Sequence, residues 1–498
     1  MSMFCSGLRG VLIIGRCAMH MRLRTLVLFG IMFLSTRIFA QAELQRFDRQ
    51  LEQIRREQTA VADNVPLEQR ALFEYGAIFG FNYFSLDDPS GRSHGLRQFD
   101  VFPFARLNLD GANEFYLRGR WGYRDWNRGE SLDGRGDEPI DGDLDRGFYR
   151  FDYRAYQNVH RRRDPGFDFA VKGGRDLAYW GNGLTLSQVL DGVVVNAGWG
   201  GMDLEVLAGV TPTRTTDIDF SRPNFDHNTS RGFYGAMLSK QIERHRPYIY
   251  ALAQQDYNVD NVGVISGITT VYDYNSWYVG TGVSGSITDR LLYGVEVTYE
   301  GGSTLSNSFI ATPQGLQQIP QTEDRIGAYA ADVRLDYLLN DARRTRFTFE
   351  TIAASGDSDR LLSSTNTFGG NRPNTSDRAF NAFGLLNTGL AFGPQASNVL
   401  IFRLGAVTFP LPNYHVLRRF QVGTDVFLYN KLASNGPIDE PSTDGRYLGF
   451  EPDFFINWEI TSDVTVSFRY GLFFPGEALS DLSDSTRQFI SAGVTYAF

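Results

Sequence analysis

The chain has 498 residues and a formal net charge of −9, and 21% of its residues are charged. After residue 40 it has no run of about 18 apolar residues, which excludes membrane-spanning helices from that part of the chain. It is nevertheless rich in Phe (39), Tyr (24) and Gly (52). This combination is typical of β-barrels that cross a membrane, because each strand is apolar on one face only and aromatic residues ring both interfaces.

Residues 1–40 are predicted to be an export signal. Two arginines precede the apolar stretch 26–33, and Ala40 ends a small-residue cleavage pattern. Met21 is an alternative translation start. Both cysteines of the chain lie before Met21, so the exported protein is expected to contain no disulfide, no catalytic cysteine and no cysteine metal ligand.

Residues 41–66 are predicted to form a short amphipathic helix on the periplasmic side. Apolar residues recur at helical spacing among Gln, Glu and Arg, namely Leu44, Phe47, Leu51 and Ile54. So short a helix is only marginally stable in isolation. We therefore expect it to lie at the periplasmic mouth of a barrel or to plug that mouth, with a small trimerising coil as the alternative.

From residue 70 to residue 498 the apolar period changes to two. The clearest segment is 114–124, where aromatic and aliphatic residues alternate with Glu114, Arg118, Arg120 and Arg124. The alternating segments are 73–83, 97–109, 114–124, 148–157, 167–175, 191–199, 202–210, 231–241, 247–257, 273–285, 290–300, 326–337, 346–355, 397–409, 416–430, 447–460, 464–474 and 487–498. They predict an all-β fold, a transmembrane antiparallel β-barrel of about 18 strands.

The connections between these segments alternate between short and long, as they do in outer-membrane barrels. Tight turns are predicted at 110–112, 200–201, 287–289 and 461–462. An extra strand at 379–392 would break the alternation, so 356–396 is predicted to be one outer loop that is long enough to fold into the pore. The chain stops on an alternating strand with Tyr496 and Phe498 on one face. Such an ending resembles the signal that the barrel-assembly machinery recognises.

Charged residues that alternate with apolar ones are expected to face the lumen, because a cation facing lipid at the midplane costs about 2–4 kcal/mol. The predicted lumenal cations are Arg118, Arg120, Arg124, Arg150, Arg154, Lys172, Arg334, Arg403 and Arg469. Acidic residues are interspersed among them. Either the cations pass an anionic solute from site to site, or they pair with acids across strands and keep the lumen rigid. The density of arginines at 118–124 and 150–154 favours the anion pathway there.

Other candidate sites are less specific. The predicted outer loop after residue 125 carries a calcium candidate made of Asp133, Asp137, Asp141, Asp143 and Asp145, but these residues lack the spacing of a 12-residue calcium loop. A solvated loop is the alternative interpretation. The histidines are scattered, and no Ser/His/Asp set falls at a common membrane depth. The sequence therefore predicts no enzyme, no cofactor and no nucleic-acid partner.

Several stretches resemble the alginate-export family of outer-membrane proteins. The segments that carry the resemblance are 171–176, 181–183, 191–193, 448–453 and 469–478, together with Trp458. The resemblance implies an 18-stranded barrel with an electropositive pore for the polyuronate alginate, and it suggests Arg118, Arg120, Arg150, Lys172 and Arg403 as polymer contacts by their lumenal position. Two departures are the extra helix near 41–65 and a pore of more mixed charge.

These observations predict a channel of the bacterial outer membrane that passes an anionic or hydrophilic saccharide or polysaccharide. The alternative is an uptake porin for small hydrophilic solutes, and an outer-membrane hydrolase is a third hypothesis. The expected partners are outer-membrane lipid and lipopolysaccharide, the barrel-assembly machinery and periplasmic export partners.

Overall fold

The computed structural model describes residues 47–56, 71–132, 134–213, 219–222, 229–259 and 261–498. The predicted export signal therefore lies outside the described residues. The strands are β1 (Ala71–Asp87), β2 (Ser93–Leu109), β3 (Asn113–Trp126), β4 (Glu138–Asp152), β5 (Asp168–Tyr179), β6 (Ser187–Trp199), β7 (Met202–Val210), β8 (Arg231–Lys240), β9 (His245–Asp256), β10 (Val262–Ile265), β11 (Ile268–Val271), β12 (Tyr274–Thr288), β13 (Leu291–Leu305), β14 (Phe309–Thr312), β15 (Gly315–Gln318), β16 (Glu323–Leu338), β17 (Arg346–Ala354), β18 (Val399–Thr408), β19 (Phe420–Asn430), β20 (Tyr447–Glu459), β21 (Val464–Pro475) and β22 (Arg487–Ala497).

Eighteen of these strands form one antiparallel sheet, and pairing of β1 with β22 closes it into a barrel. The other four strands form two small hairpins, β10–β11 and β14–β15. Helix α1 spans residues 47–56, and helix α2 spans Tyr153–Arg161. No helix in the described part of the chain is long and apolar enough to cross a membrane. The predicted fold class and strand number are confirmed.

Alternation along each strand sorts side chains between an apolar outer surface and a charged lumen. On β3, Phe115, Leu117 and Trp121 are about half exposed on the outer surface, whereas Arg118 is only 7% exposed. Outward apolar side chains can be solvated by lipid, and inward charges avoid it. The period of two therefore creates both the lipid-facing belt and the polar lumen.

The seam of the barrel is formed by the first and last strands. The backbone N–H of Phe498 donates to the carbonyl of Ala77 at 3.2 Å, and the N–H of Ala77 donates back to Phe498 at 3.2 Å. The ring of Phe79 stacks on those of Tyr496 and Phe498, with centroid separations of 6.4 and 6.0 Å. The terminal aromatic residues thus close the sheet, while their role as an assembly signal stays a prediction.

The two ends of the barrel differ in the length of their connections. At the short-turn end, β6 and β7 are joined by residues 200–201 alone. At the long-loop end, a single connection of residues 355–398 joins β17 to β18, and no barrel strand forms at 379–392. This loop was therefore predicted correctly from the alternation of short and long connections. Both described ends of the barrel sheet lie at the short-turn end.

One predicted strand is wrong in part. The segment 148–157 continues as a strand only to Asp152, whose carboxylate accepts the backbone N–H of Ala155 at 2.9 Å and so caps α2. An N-cap side chain satisfies a backbone donor that a helix start leaves unpaired. Arg154 therefore lies on a helix at the short-turn end, where its Nε is 2.6 Å from Asp168, and not on a lumenal strand.

Candidate functional site in the barrel lumen

Four arginines line one side of the lumen: Arg118, Arg120 and Arg124 on β3, and Arg146 on β4. We call them the basic wall. Arg118 and Arg146 lie directly opposite each other in the strand pairing, next to a β-bulge. Their acidic contacts are Arg118 Nε to Asp145 at 2.6 Å, Arg120 Nε to Asp100 at 3.0 Å, Arg124 Nη1 to Glu138 at 3.1 Å and Arg146 Nε to Asp176 at 3.6 Å. Each predicted β3 cation thus faces the lumen and contacts a carboxylate.

The inward ring of Phe102 on β2 gathers cations from two elements. The guanidinium carbons of Arg118 and Arg120 lie 5.8 and 5.9 Å from the ring centroid, and that of Arg55 on α1 lies 5.9 Å away. Burial lowers the pKa of Arg55, with Asp145 opposing that effect and the nearby cations Arg120 and Arg146 adding to it. Asp100 and Asp145 lie among these guanidinium groups and offset their mutual repulsion.

Helix α1 lies inside the lumen, against the long-loop half of β1 and β3. The ring of Phe47 packs edge-on to Phe84 with centroids 5.2 Å apart, and Phe47 is only 1% exposed. Asp48 Oδ1 accepts from Arg124 Nη2 at 3.0 Å. Because Phe47 and Ile54 are buried inside the barrel, they are not available to a trimerising coil, so that interpretation is wrong. The predicted position at the periplasmic mouth is also wrong, since the contacts of Phe47 and Asp48 place the helix in the long-loop half of the lumen.

The long loop also folds into the lumen, where inward carboxylates hold its backbone. Glu451 accepts the N–H groups of Leu390 and Ala391 at 2.6 Å each and that of Phe392 at 2.8 Å. Glu300 accepts the N–H of Asn381 at 2.8 Å.

A second, shorter loop is held in the same way. The N–H of Asn182 donates to Glu296 at 2.5 Å, and its side-chain amide donates to Asp332 at 2.8 Å. We call Glu296, Glu300, Asp332 and Glu451 the acidic anchors. Three of them also accept hydrogen bonds from tyrosines of the barrel strands, for example Glu296 from Tyr250 at 2.7 Å and Glu451 from Tyr429 at 3.1 Å. The carboxylates thus tie the loops to the barrel wall and build the narrow part of the lumen.

Two cavities lie on either side of α1. The long-loop chamber has a volume of about 590 Å³ and is lined by the charged face of α1, including Asp48 and Glu52, and by much of the basic wall. The short-turn chamber has a volume of about 390 Å³ and is lined by Gln50, Gln53 and Ile54 of the same helix. Leu385 of the long loop borders both chambers. The helix and this loop therefore separate the outer and inner parts of the lumen.

The remaining predicted cations are distributed along the lumen. Arg403 lies between Glu350 and Asp425, at 2.7 and 2.8 Å, and it lines the short-turn chamber. Arg334 and Arg469 line the same chamber, and Arg334 contacts Asp336 at 2.9 Å. The structure therefore groups these three cations in one chamber, apart from the basic wall.

Two further predicted cations are Lys172 on β5 and Arg150 on β4, the latter nearer the short-turn end. Lys172 donates to Asp176 at 2.7 Å on the same strand. Arg150 is about half exposed, with its Nη2 3.6 Å from Asp152. Neither lines one of the two chambers.

The calcium candidate does not assemble in the described residues. Asp133 lies outside them, Asp145 pairs with Arg118, and Asp137 accepts the backbone N–H of Trp126 at 2.8 Å. Nowhere among the described residues do three or more His, Cys, Asp or Glu side chains come together as a metal-binding group.

Sequence reasoning missed the contribution of α1 and of Arg146. The long-loop chamber is also lined by Arg49, Arg55, Arg56 and Arg146. Charged residues at 48, 52, 55 and 56 recur at helical spacing on one face, and this spacing was the available signal. Nothing local in the sequence indicates that this face enters the barrel.

A family model described as "Alginate export" matches residues 168–492, which is more than half of the chain. No match was found among curated protein sequences. Among solved structures, OccK7 (OpdD) of Pseudomonas aeruginosa has a TM-score of 0.50 at 11% identity, covering 86% of this chain and 98% of that chain. OccAB2 of Acinetobacter baumannii has a TM-score of 0.50 at 10% identity, with the same coverage of 86% and 98%. These structural likenesses concern the barrel fold.

Proposed function

Because the chain belongs to the alginate-export family and forms a channel of the bacterial outer membrane, we propose that it passes anionic saccharides of the polyuronate class. Membership of the family makes a carboxylate-bearing polymer or oligomer the first solute to consider. In this proposal the protein is a passive channel and not an enzyme.

The observation that carries the proposal is the long-loop chamber. Four arginines of the barrel strands and their loops border its volume of about 590 Å³, namely Arg120, Arg124, Arg135 and Arg146, and α1 adds Arg49, Arg55 and Arg56. A planar guanidinium group binds a carboxylate through two parallel hydrogen bonds, which an ammonium group cannot do. The volume lies within the range of about 300–1,000 Å³ that is usual for small-ligand sites.

The acidic residues of the chamber keep anion binding weak enough for the solute to be released, which conduction also requires. Asp48 and Glu138 already contact Arg124, so a solute carboxylate competes for its guanidinium group. Conduction needs sites that bind strongly enough for entry and weakly enough for release. A basic wall with acidic neighbours meets both conditions.

The second candidate function is uptake of small hydrophilic solutes, in which charge matters less. The observation that favours it is the narrow lumen, since α1 and the long loop divide it into chambers of about 590 and 390 Å³. A small solute fits such chambers with the helix in place, whereas a polymer requires a continuous path.

Reversal potentials in planar bilayers under a KCl gradient test the proposal. We expect an anion-selective wild-type channel and loss of that selectivity in Arg120→Gln/Arg124→Gln. The matched control is Arg97→Gln, because Arg97 is an exposed arginine paired with Asp125 at 2.7 Å, and its substitution should leave the selectivity unchanged. A cation-selective wild type, or selectivity that persists in the double variant, would contradict the proposal.

A further inference from the structure

Helix α1 lies between the two chambers, together with Leu385 of the long loop. Its charged face, with Asp48 and Glu52, borders the long-loop chamber, and its amide face, with Gln50 and Gln53, borders the short-turn chamber. A helix in this position limits passage unless it moves.

Helix α1 is held by side-chain contacts, whereas the loop beside it is held by hydrogen bonds from its backbone. Gln50 Nε2 donates to the carbonyl of Leu390 at 2.5 Å, Arg49 Nη2 to that of Gly384 at 2.9 Å, and Arg56 Nη1 to Ser187 Oγ at 2.6 Å. Among the described residues, no backbone-to-backbone hydrogen bond joins α1 to the barrel or to the loop. The long loop, in contrast, is fixed through its own backbone N–H groups. Undocking of residues 47–56 therefore breaks no backbone-to-backbone hydrogen bond among the described residues.

Asp48 of α1 occupies the basic wall as a solute carboxylate would. It contacts Arg124 at 3.0 Å, whereas Glu52 pairs with Arg55 and Arg56 of its own helix and lies 3.9 Å from Arg146. The two acids are four residues apart, about 6 Å along the helix axis, so they present a repeated negative charge to arginines on neighbouring strands. A polyuronate also carries a carboxylate on every sugar unit.

We propose that α1 is an internal plug whose Asp48 occupies the solute-binding Arg124 and whose Glu52 lies near Arg146, so that docking of the helix and binding of an anionic saccharide exclude each other. The inference rests on the proposed function, since the competing ligand is the solute of that channel. By linkage, a solute that binds only the undocked state must favour undocking to the same extent that docking weakens its binding.

The first test weakens docking without removing the helix. We expect Asp48→Asn to lower the trigalacturonate concentration that gives a half-maximal change in the ion current by about fivefold or more, which is the scale of a typical coupling between sites. The matched control, Asp289→Asn, removes an acid that pairs with Arg244 in an exposed turn at the short-turn end and should not change that concentration. An unchanged or higher concentration in the α1 variant would overturn the inference.

The second test separates movement of the helix from the charge change. In a background with Cys5 and Cys17 replaced by serine, Phe47→Cys/Phe84→Cys is cross-linked with a reversible bis-methanethiosulfonate reagent, because the two rings are in contact. We expect cross-linking to reduce trigalacturonate flux by about fivefold or more, and a reductant to restore it. Each single-cysteine variant, treated in the same way, is the control.

Unchanged flux through the cross-linked channel would show that α1 need not move, which would overturn the plug while leaving the proposed function intact. If the proposed function itself is wrong, the experiments would give a different result. In that case the uncross-linked channel would lack anion selectivity in the KCl gradient, and trigalacturonate would have no effect on any variant. That result would also remove the competing ligand and with it the plug.

Discussion

Glu451 of the acidic anchors and Arg124 of the basic wall face the same lumen but have different kinds of partner. The carboxylate of Glu451 accepts three backbone N–H groups of the long loop. Arg124, in contrast, is contacted by side chains, one of which belongs to α1. Backbone partners fix a charge in a structural role, whereas side-chain partners on a removable element leave a charge open to exchange.

This difference separates structural from functional charge within one pore. A count of cations and acids does not distinguish the two, since both occur throughout the lumen. The partner of each charge distinguishes them, and it allows the effect of each substitution to be ranked.

The largest effect is expected at Glu451. Glu451→Ala removes the acceptor for three loop N–H groups in a region where Phe392 is fully buried. An unmade hydrogen bond of a buried group costs about 1–3 kcal/mol, so we expect a loss of at least about 3 kcal/mol in urea unfolding of the barrel in lipid and rapid proteolysis within the long loop. Glu451→Gln keeps one acceptor oxygen, so its stability should lie between those of the wild type and Glu451→Ala. Wild-type stability of Glu451→Ala would contradict the anchoring role.

An intermediate effect is expected at Arg403. Arg403→Met leaves Glu350 and Asp425 without the cation between them, and breaking a buried charge pair costs about 3–5 kcal/mol when no solvent enters. Because Arg403 also lines the short-turn chamber, hydration should reduce that cost. We expect a shift of the reversal potential toward cations, which Asp425→Asn in the same chain should partly reverse. No shift would mean that this chamber does not control selectivity.

The smallest effect is expected at Arg150. This residue is half exposed, and its carboxylate neighbour Asp152 is 3.6 Å away. Exposed pairs contribute about 0–1 kcal/mol, so Arg150→Ala should unfold at nearly the wild-type urea concentration and change the reversal potential less than Arg403→Met. A larger change in selectivity than at Arg403 would restore Arg150 as a main solute contact, as the family resemblance suggested.

The barrel was predictable because its signal is local. Alternation along each strand, such as that around Arg118 and Arg120, depends on neighbouring residues only, and the connection lengths supply the parity that identifies the long loop. Neither observation requires knowledge of which residues meet across the lumen.

The partners of the lumenal charges were not predictable, since they come from distant parts of the chain. Asp48 meets Arg124, which is separated from it by the whole of β1 and β2. Likewise, Glu451 on β20 meets Leu390 of the long loop, 61 residues earlier in the chain. The end of the strand at Asp152 was missed because the alternation of apolar residues continues past it. The carboxylate of Asp152 nevertheless caps a helix there by accepting the N–H of Ala155.

Release of trigalacturonate and of neutral maltotriose from proteoliposomes tests the central claim most directly. We predict faster release of the charged trisaccharide through the wild-type channel and loss of that preference in Arg120→Gln/Arg124→Gln, with folding verified by heat-modifiable gel mobility. Equal release of both sugars by the wild type, or a preference that survives the double substitution, would contradict the claim that the basic wall conducts anionic saccharides.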